Sequence, residues 1–399
     1  MFEGLEAAPP DPILDLKESY RADTNAGKVN LTVGVYQDDE GFTPVFRTVK
    51  LAEAQLLEDE ATKAYLKIEG ADEYTAAMQE MMYGLDHEVV ASGRAVTAHT
   101  PGGTAALRVG GEFVKRIHAQ STVWMSDPTW PNHPSVFAAA GLKVATYPYY
   151  DEASRGLAFE AMIEAFKRVP AGDVVLLHGC CHNPTGVDPT LEQWEQIADV
   201  IAERELLPFV DLAYQGLGDG LREDTLGVLA LSRPGQELMI ANSLSKNFGL
   251  YRERVGALTI VARSKEAARV CLTHVKKCIR ANYSNPPGHG AAIASTVLGD
   301  PNLRAEWEQE VKAMCARINE VRDGFAGGLE ARTGRDFSYI RRQRGVFSYT
   351  GLTKEQVRRL RSEYSIYMLD SGRVNIAGLN RANIDSVCDA VAAVLGDGE

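Results

Sequence analysis

The chain has few cysteines, no long apolar run and a deficit of positive charge. Its 399 residues include six cysteines: Cys180, Cys181, Cys271, Cys278, Cys315 and Cys388. They lack metal-ligand spacing, so no metal site is expected, and an adjacent pair makes a poor disulfide framework. A reducing, cytoplasmic setting is the expectation. No stretch is long and apolar enough to span a membrane. The opening Met1-Phe2-Glu3-Gly4-Leu5-Glu6 lacks the basic start and apolar core of a signal peptide. Lys and Arg number 42 against 54 Asp and Glu, a formal charge of −12. That balance argues against nucleic acid or an anionic membrane as partner. It also means that an anionic substrate must be met by local arginines. Internal repeats, low-complexity tracts and the glycine patterns of dinucleotide and Walker sites are missing too. The rest is ordinary for a soluble globular enzyme, with 45% hydrophobic and 24% charged residues. The length predicts two domains.

Residues 1–30 are rich in proline and charge. Ala8-Pro9-Pro10-Asp11-Pro12 reads as an extended arm, followed by a short helix from Ile13 to Arg21. Leu31-Thr32-Val33-Gly34-Val35-Tyr36 reads as a strand broken by Gly34, a sign of a bulge or a close backbone approach. A helix beginning near Glu73 takes Asp72 as its expected N-cap. From Arg94 to Ala262, strands and helices alternate as in an open, mostly parallel α/β sheet, whose ligands sit beyond the carboxyl ends of the strands. Asp173-Val174-Val175-Leu176-Leu177-His178 is a nearly all-apolar strand, as a sheet covered on both faces requires. Phe337 to Gly351, Ile366 to Met368 and Val374 to Ile376 read as further strands. The pattern from Asn302 to Leu329 reads as a long amphipathic helix.

Polar residues collect at the strand ends. Ser243-Leu244-Ser245-Lys246 follows one apolar run, and Arg254 precedes the next. A lysine amine condenses with an aldehyde only after losing its proton; burial and nearby positive charge promote that loss. An arginine beside hydroxyls clamps a phosphate dianion well. The turn His99-Thr100-Pro101-Gly102-Gly103-Thr104, between strand and helix, has the geometry that receives a phosphate. An aldehyde on a phosphate-bearing ring is pyridoxal 5′-phosphate. Its pyridine nitrogen needs a carboxylate partner to stay protonated, and Asp211 ends a buried strand. Asn183 and Tyr214 are available for the ring oxygen, and Trp130 for stacking on the ring. Each alone also has an ordinary reading as a turn, capping or packing residue. Their occurrence at successive strand ends is what unites them.

These segments carry a resemblance. Pro101-Gly102-Gly103-Thr104, Asp127-Pro128-Thr129-Trp130-Pro131-Asn132-His133 and His182-Asn183-Pro184-Thr185-Gly186 are three of them. Asp211-Leu212-Ala213-Tyr214-Gln215-Gly216, Ser243-Leu244-Ser245-Lys246-Asn247 and Arg252-Glu253-Arg254-Val255-Gly256 are three more. Arg280-Ala281-Asn282-Tyr283-Ser284-Asn285-Pro286-Pro287 and Ser371-Gly372-Arg373-Val374-Asn375 complete the set. In order and over nearly the whole length they resemble the class I, fold-type I aminotransferases that use pyridoxal 5′-phosphate, in the aspartate and aromatic amino acid subfamily. The resemblance implies a large domain over residues 45–312 with a seven-stranded, mostly parallel sheet. It implies a smaller α+β domain from residues 1–44, which include the N-terminal arm, and residues 313–399.

It also implies roles. Lys246 would hold the cofactor covalently and later shuttle the proton. Asp211 would face the pyridine nitrogen, with His133 behind it, and Tyr214 and Asn183 the ring oxygen. Trp130 would stack on the ring. Gly103, Thr104, Ser243 and Arg254 would hold the phosphate, joined by Tyr65 from a partner subunit of a homodimer. Arg373, Asn183, Trp130 and the Gly34 backbone would bind the substrate's α-carboxylate end, and Arg280 of the other subunit its distal carboxylate. The implied reaction is ping-pong transamination between L-aspartate and 2-oxoglutarate. Val35, Thr43, Thr104 and Asn285 match aspartate-type members, whereas Gln37 and Ala64 match neither type. Thr146-Tyr147-Pro148-Tyr149-Tyr150 and Phe347-Ser348-Tyr349-Thr350-Gly351 look more like the aromatic enzymes, which leaves an aromatic or dual preference as the alternative. A lyase or decarboxylase using the same cofactor would have less need of Arg280.

Overall fold

The computed structural model describes residues 2–6 and 12–396. Ala8 to Asp11 of the expected arm lie outside the described residues; the helix that follows spans Pro12–Ala22. Seven strands build the central sheet: β1 (Ala95–Pro101), β2 (Thr122–Asp127), β3 (Lys143–Pro148), β4 (Val174–His178), β5 (Leu207–Leu212), β6 (Leu238–Ser243) and β7 (Val255–Val261). Their order is β1-β7-β6-β5-β4-β2-β3. Only β7 runs against its neighbours; the other pairings are parallel. β4, β6 and β7 are buried along their whole length, which explains their largely apolar sequence.

Helices cover both faces. On one, α1 (Gly103–Ile117) and α2 (Lys265–Asn282) pack Leu107, Phe113, Val275 and Ile279 against Phe209 and Met239. α1 lies close because Gly110 has no Cβ; one added there would stand 2.4 Å from the Phe209 ring. Trp194, Ile197 and Val200 of the helix Leu191–Glu203 belong to the core on the other face. Burying each such large apolar side chain contributes about 1.5–3 kcal/mol.

The long helix α3 (Pro301–Thr333) starts at Asp300, whose side chain accepts from the Asn302 and Leu303 amides, and stops at Gly334 in the left-handed region. Its first half meets the sheet side of the molecule: Trp307 stacks on Phe248 and donates to the Asn247 carbonyl at 2.9 Å. Its last turns pair Arg332 with Asp385 and Asp389 on the helix Ile384–Gly396. Around this end lie two small sheets. Val29–Asn30 pairs in parallel with Ile366–Tyr367, and Phe347–Tyr349 antiparallel with Arg373–Asn375.

Three sequence expectations are corrected. Leu31 to Tyr36 is not a strand, because side chains take its backbone groups. Asn30 accepts from the Thr32 amide, Asn375 donates to the Val33 and Val35 carbonyls, and Tyr251 receives the Tyr36 amide. Phe337 to Gly351 is split into a short helix, Ser338–Arg342, and the strand Phe347–Tyr349. Asp72 lies inside its helix, with Ala71 at the N-cap and no side-chain cap.

Candidate active site

Strand register brings the polar residues to one rim. His178 at the end of β4 stands opposite Asp211, Leu212 opposite Asn242, and Ser243 opposite Gly256, which in turn faces Thr100. Beyond this rim opens a cavity of 210 Å³. Gly34, Gly103, Thr104, Trp130, Asn183, Asp211, Tyr214, Ser243, Lys246 and Arg254 all line it. Most of the predicted residues therefore meet in one place. A larger cavity, 570 Å³, lies at the other end of β5 and β6 among Leu207, Glu237, Leu238 and Arg263. It offers no lysine facing a buried carboxylate.

Lys246 Nζ lies over the Tyr214 ring, 4.6 Å from its centroid. Burial lowers its amine from 10.5 to about 8; Arg254 helps and Asp211 opposes. Asp211 is buried too. Burial pushes its carboxyl up, but the His133 hydrogen bond and the charges of His133, His178 and Lys246 outweigh this and hold it below 3.8. His133 Nε2 stands 3.1 Å from Asp211 Oδ2, and its Nδ1 is 2.8 Å from Thr129 Oγ1. The Trp130 ring meets His133 edge-on at 5.1 Å. Burial pushes the Tyr214 hydroxyl well above 10, so it stays a donor.

At the other end of the cavity, close packing shapes the glycine turn. Gly102 has φ 80°, and a Cβ there would meet the Arg254 guanidinium at 2.3 Å. A Cβ on Gly256 would strike the Gly103 nitrogen at 2.8 Å. Glycines thus let Arg254 and two strands converge on the N-terminus of α1, where free N–H groups favour an anion. Ser243 and Ser245 share a hydrogen bond of 3.1 Å beside it.

Arg373 stands behind Asn183 and does not itself line the cavity. It is 2% exposed and donates to Asn183 Oδ1 at 3.2 Å and to the Thr32 carbonyl at 2.7 Å. Its guanidinium lies 4.0 Å over the Phe347 ring. Burial lowers its pKa to about 10, and its Nε has no hydrogen-bond partner. Gly34 admits this ring: a Cβ there would stand 2.4 Å from Phe347.

Two predicted residues are not brought in. Tyr65 is 93% exposed; Arg280, at the exposed end of α2, pairs with Ser284. Neither lines the cavity. His178 and Tyr251 do line it and escaped the sequence reading. His178 ends a strand next to the Asp211 strand, a positional signal that could have found it. The fold also gathers Cys180, Cys181 and Asp224 with ligand atoms within 4.8 Å, which their spacing did not suggest. Asp224 already accepts from the Gly216, Gly218 and Asp219 amides, and burial raises Cys181 well above 9. These are groups already engaged in holding the loop.

The sheet, the strand-end rim and one cavity lined by both a lysine and a buried carboxylate define an α/β enzyme. The family model described as aminotransferase class I and II matches residues 26–391, and the chain belongs to that family. It is 50% identical over 396 residues to an aspartate aminotransferase of Escherichia coli (strain K12), covering 99% of this chain and 100% of that one. Among solved structures, an aromatic amino acid aminotransferase from Burkholderia cenocepacia superposes with a TM-score of 0.97 at 48% identity, with full coverage of both chains. One from Burkholderia pseudomallei, covalently bound to pyridoxal phosphate, gives 0.97 at 45% identity over 99% of each chain.

Proposed function

We propose that this chain is a pyridoxal 5′-phosphate-dependent aminotransferase that converts L-aspartate and 2-oxoglutarate to oxaloacetate and L-glutamate in two half-reactions. The observation that carries this reading is a half-buried lysine, lowered to about 8, facing a carboxylate held below its ordinary value in one cavity. The donor set suits the cofactor: an amine for its aldehyde, a carboxylate for its ring nitrogen, an indole for its face and a helix N-terminus for its phosphate. When bound, the cofactor supplies an aldehyde and a ring that takes up the electron pair left at the substrate α-carbon.

The protein's part is binding and proton handling. Lys246 would remove the proton from the substrate α-carbon and return it to the cofactor carbon that bore the aldehyde. Asp211, oriented by His133, would keep the ring nitrogen protonated. Tyr214 and Asn183 would donate to the ring oxygen. Gly103, Thr104, Ser243 and Arg254 would receive the phosphate. Arg373, which meets Asn183, would with it and the Gly34 backbone take the α-carboxylate through charge-assisted bonds.

A full-length relative at 50% identity named for aspartate supports the substrate. A second reading, aromatic or dual specificity, is favoured by the aromatic aminotransferase at 48% identity. Following the cofactor absorbance after mixing with L-aspartate, and separately with L-phenylalanine, decides between them. Fast change with aspartate alone supports the first reading, comparable rates the second, and no change with either refutes both.

The same proposal includes division into residues 45–312 and the segments 1–44 and 313–399; α3 would pass from one domain to the other. It includes a homodimer, since exposed Tyr65 and Arg280 have roles only in a neighbour's cavity. Mixing Lys246→Ala subunits with Arg280→Ala subunits should regenerate one intact site per hybrid. Mixtures as inactive as their parents would refute donation across the interface. A cytoplasmic setting is supported by six free cysteines. Among the described residues no helix is long and apolar enough to cross a membrane.

A further inference from the structure

Asn183 sits on a turn whose backbone is held by a residue outside the cavity. After β4 the chain runs through Gly179, Cys180 and Cys181 to His182 and Asn183. Cys181 has φ 52°, a left-handed conformation that residues with a Cβ rarely adopt. One carboxylate takes the two amides at this point. Asp188 Oδ2 accepts from the Cys181 N–H at 2.6 Å, and Oδ1 from the His182 N–H at 2.8 Å. The His182 ring is fixed as well, by Thr185 and Ser126 at 2.8 and 2.9 Å and by stacking on Tyr149 at 3.8 Å. Asn183 comes next in the chain and meets Arg373. Further on, the Gly186 carbonyl accepts from the Arg344 amide at 2.7 Å, so the loop closes near the segment that carries Phe347.

We infer that Asp188 is a positioning residue for the reaction: by clamping the Cys181 and His182 amides it sets the place of Asn183, and through it the Arg373 guanidinium. The kinetic half of this inference rests on the proposed function; the clamp itself rests on the chain alone. A carboxylate suits the task because both its oxygens only accept, and bonds to an ionised acceptor are roughly twice as strong as neutral ones. An asparagine could accept from one amide but would turn its own N–H groups towards the other. The surroundings do not favour an anion here. Burial and Asp224 push the Asp188 carboxyl up to about 7, against the pull of the two amides and of Arg344. Both oxygens are nonetheless engaged, one by each amide, which points to a specific task for the pair.

The test compares Asp188→Asn, Asn183→Ala and the double variant. In the cofactor-free full chain, amide hydrogen exchange at Cys181 and His182 should lose about tenfold or more protection in Asp188→Asn, while β5 amides stay unchanged. Asp188→Glu, which keeps both oxygens, should recover part of it. In the loaded enzyme, KM for L-aspartate should rise about tenfold in Asp188→Asn, with a smaller change in kcat. In the Asn183→Ala background the same substitution should add nothing, since the residue it acts through is gone. Unchanged exchange overturns the clamp. An equal rise in KM in both backgrounds overturns the action through Asn183. A wild-type chain inert towards aspartate overturns the proposed function, and the exchange comparison still decides the clamp.

Discussion

Replacing Lys246 by methionine should stabilise the cofactor-free chain while abolishing turnover. The amine is held at about 8 in the folded chain against 10.5 when solvated. That difference corresponds to about 3 kcal/mol by which folding disfavours the charged form. The penalty is fully present below about pH 8, where the amine is charged in both states. It fades as pH climbs from about 8 towards 10.5, because over that window the unfolded chain binds more protons than the folded one. Methionine has nearly the same length and carries no charge. In urea unfolding, the Lys246→Met chain should exceed the wild type by about 3 kcal/mol near about pH 7, and by about 1.5 kcal/mol near about pH 9.5. Titrating groups that do not interact with Lys246 are common to both proteins and cancel in the difference. A gain that does not shrink with pH would show that packing rather than charge is responsible. No gain near neutral pH would refute the claim that this site disfavours the lysine charge.

Arg373→Lys keeps the charge but loses the planar fork; KM for L-aspartate should rise about 10- to 100-fold in steady-state kinetics, and an unchanged KM would remove Arg373 from substrate binding. Asp211→Asn leaves the His133 contact without a carboxylate; single-turnover kinetics should show proton transfer slowed about 100-fold or more, and a wild-type rate would refute its role at the ring nitrogen. Gly110→Ala places a Cβ 2.4 Å from the Phe209 ring; urea denaturation should show a loss of about 1–3 kcal/mol with kcat little changed.

The sheet was legible in the sequence because β4, β6 and β7 are covered on both faces and so are written as largely apolar runs. The rim was legible for a related reason: the sequence turns polar where those runs end. What lay hidden depends on side chains meeting backbone at long range. Nothing local tells Leu31 to Tyr36 that Asn375 and Tyr251 will take its carbonyls and amide. The helix Ser338–Arg342 is one short turn with no side-chain cap at Phe337, although Asp336 before it accepts from the Ser338 amide at 2.8 Å. Its buried Tyr339 and Ile340 suit a strand equally well. At the end of that turn and just beyond it, Arg341 pairs with Asp323 and Glu330 and Arg344 with Asp219, while Gln343 is buried. Asp188 went unnoticed because its work is done on two backbone amides, which leave no trace in residue identity. Tyr65 and Arg280 were legible by resemblance alone, since a single chain gives them nothing to touch in the cavity.

The reversed direction of β7 bears on how the cavity assembles as the chain folds. A parallel neighbour reaches the rim only after a crossover of a dozen or more residues. β6 and β7 are joined directly, and Ser243 pairs with Gly256 as soon as the two strands meet. The amine of Lys246 and the guanidinium of Arg254 are therefore fixed to one rim by contacts local in sequence. Closing a connection of about ten residues rather than about thirty spares about 1 kcal/mol of chain entropy. Arg373, which must reach Asn183 across 190 positions, belongs to the opposite extreme of contact order. The lysine–arginine corner is thus the part of the cavity that can form early, and the Arg373 corner the part that waits for the rest of the chain.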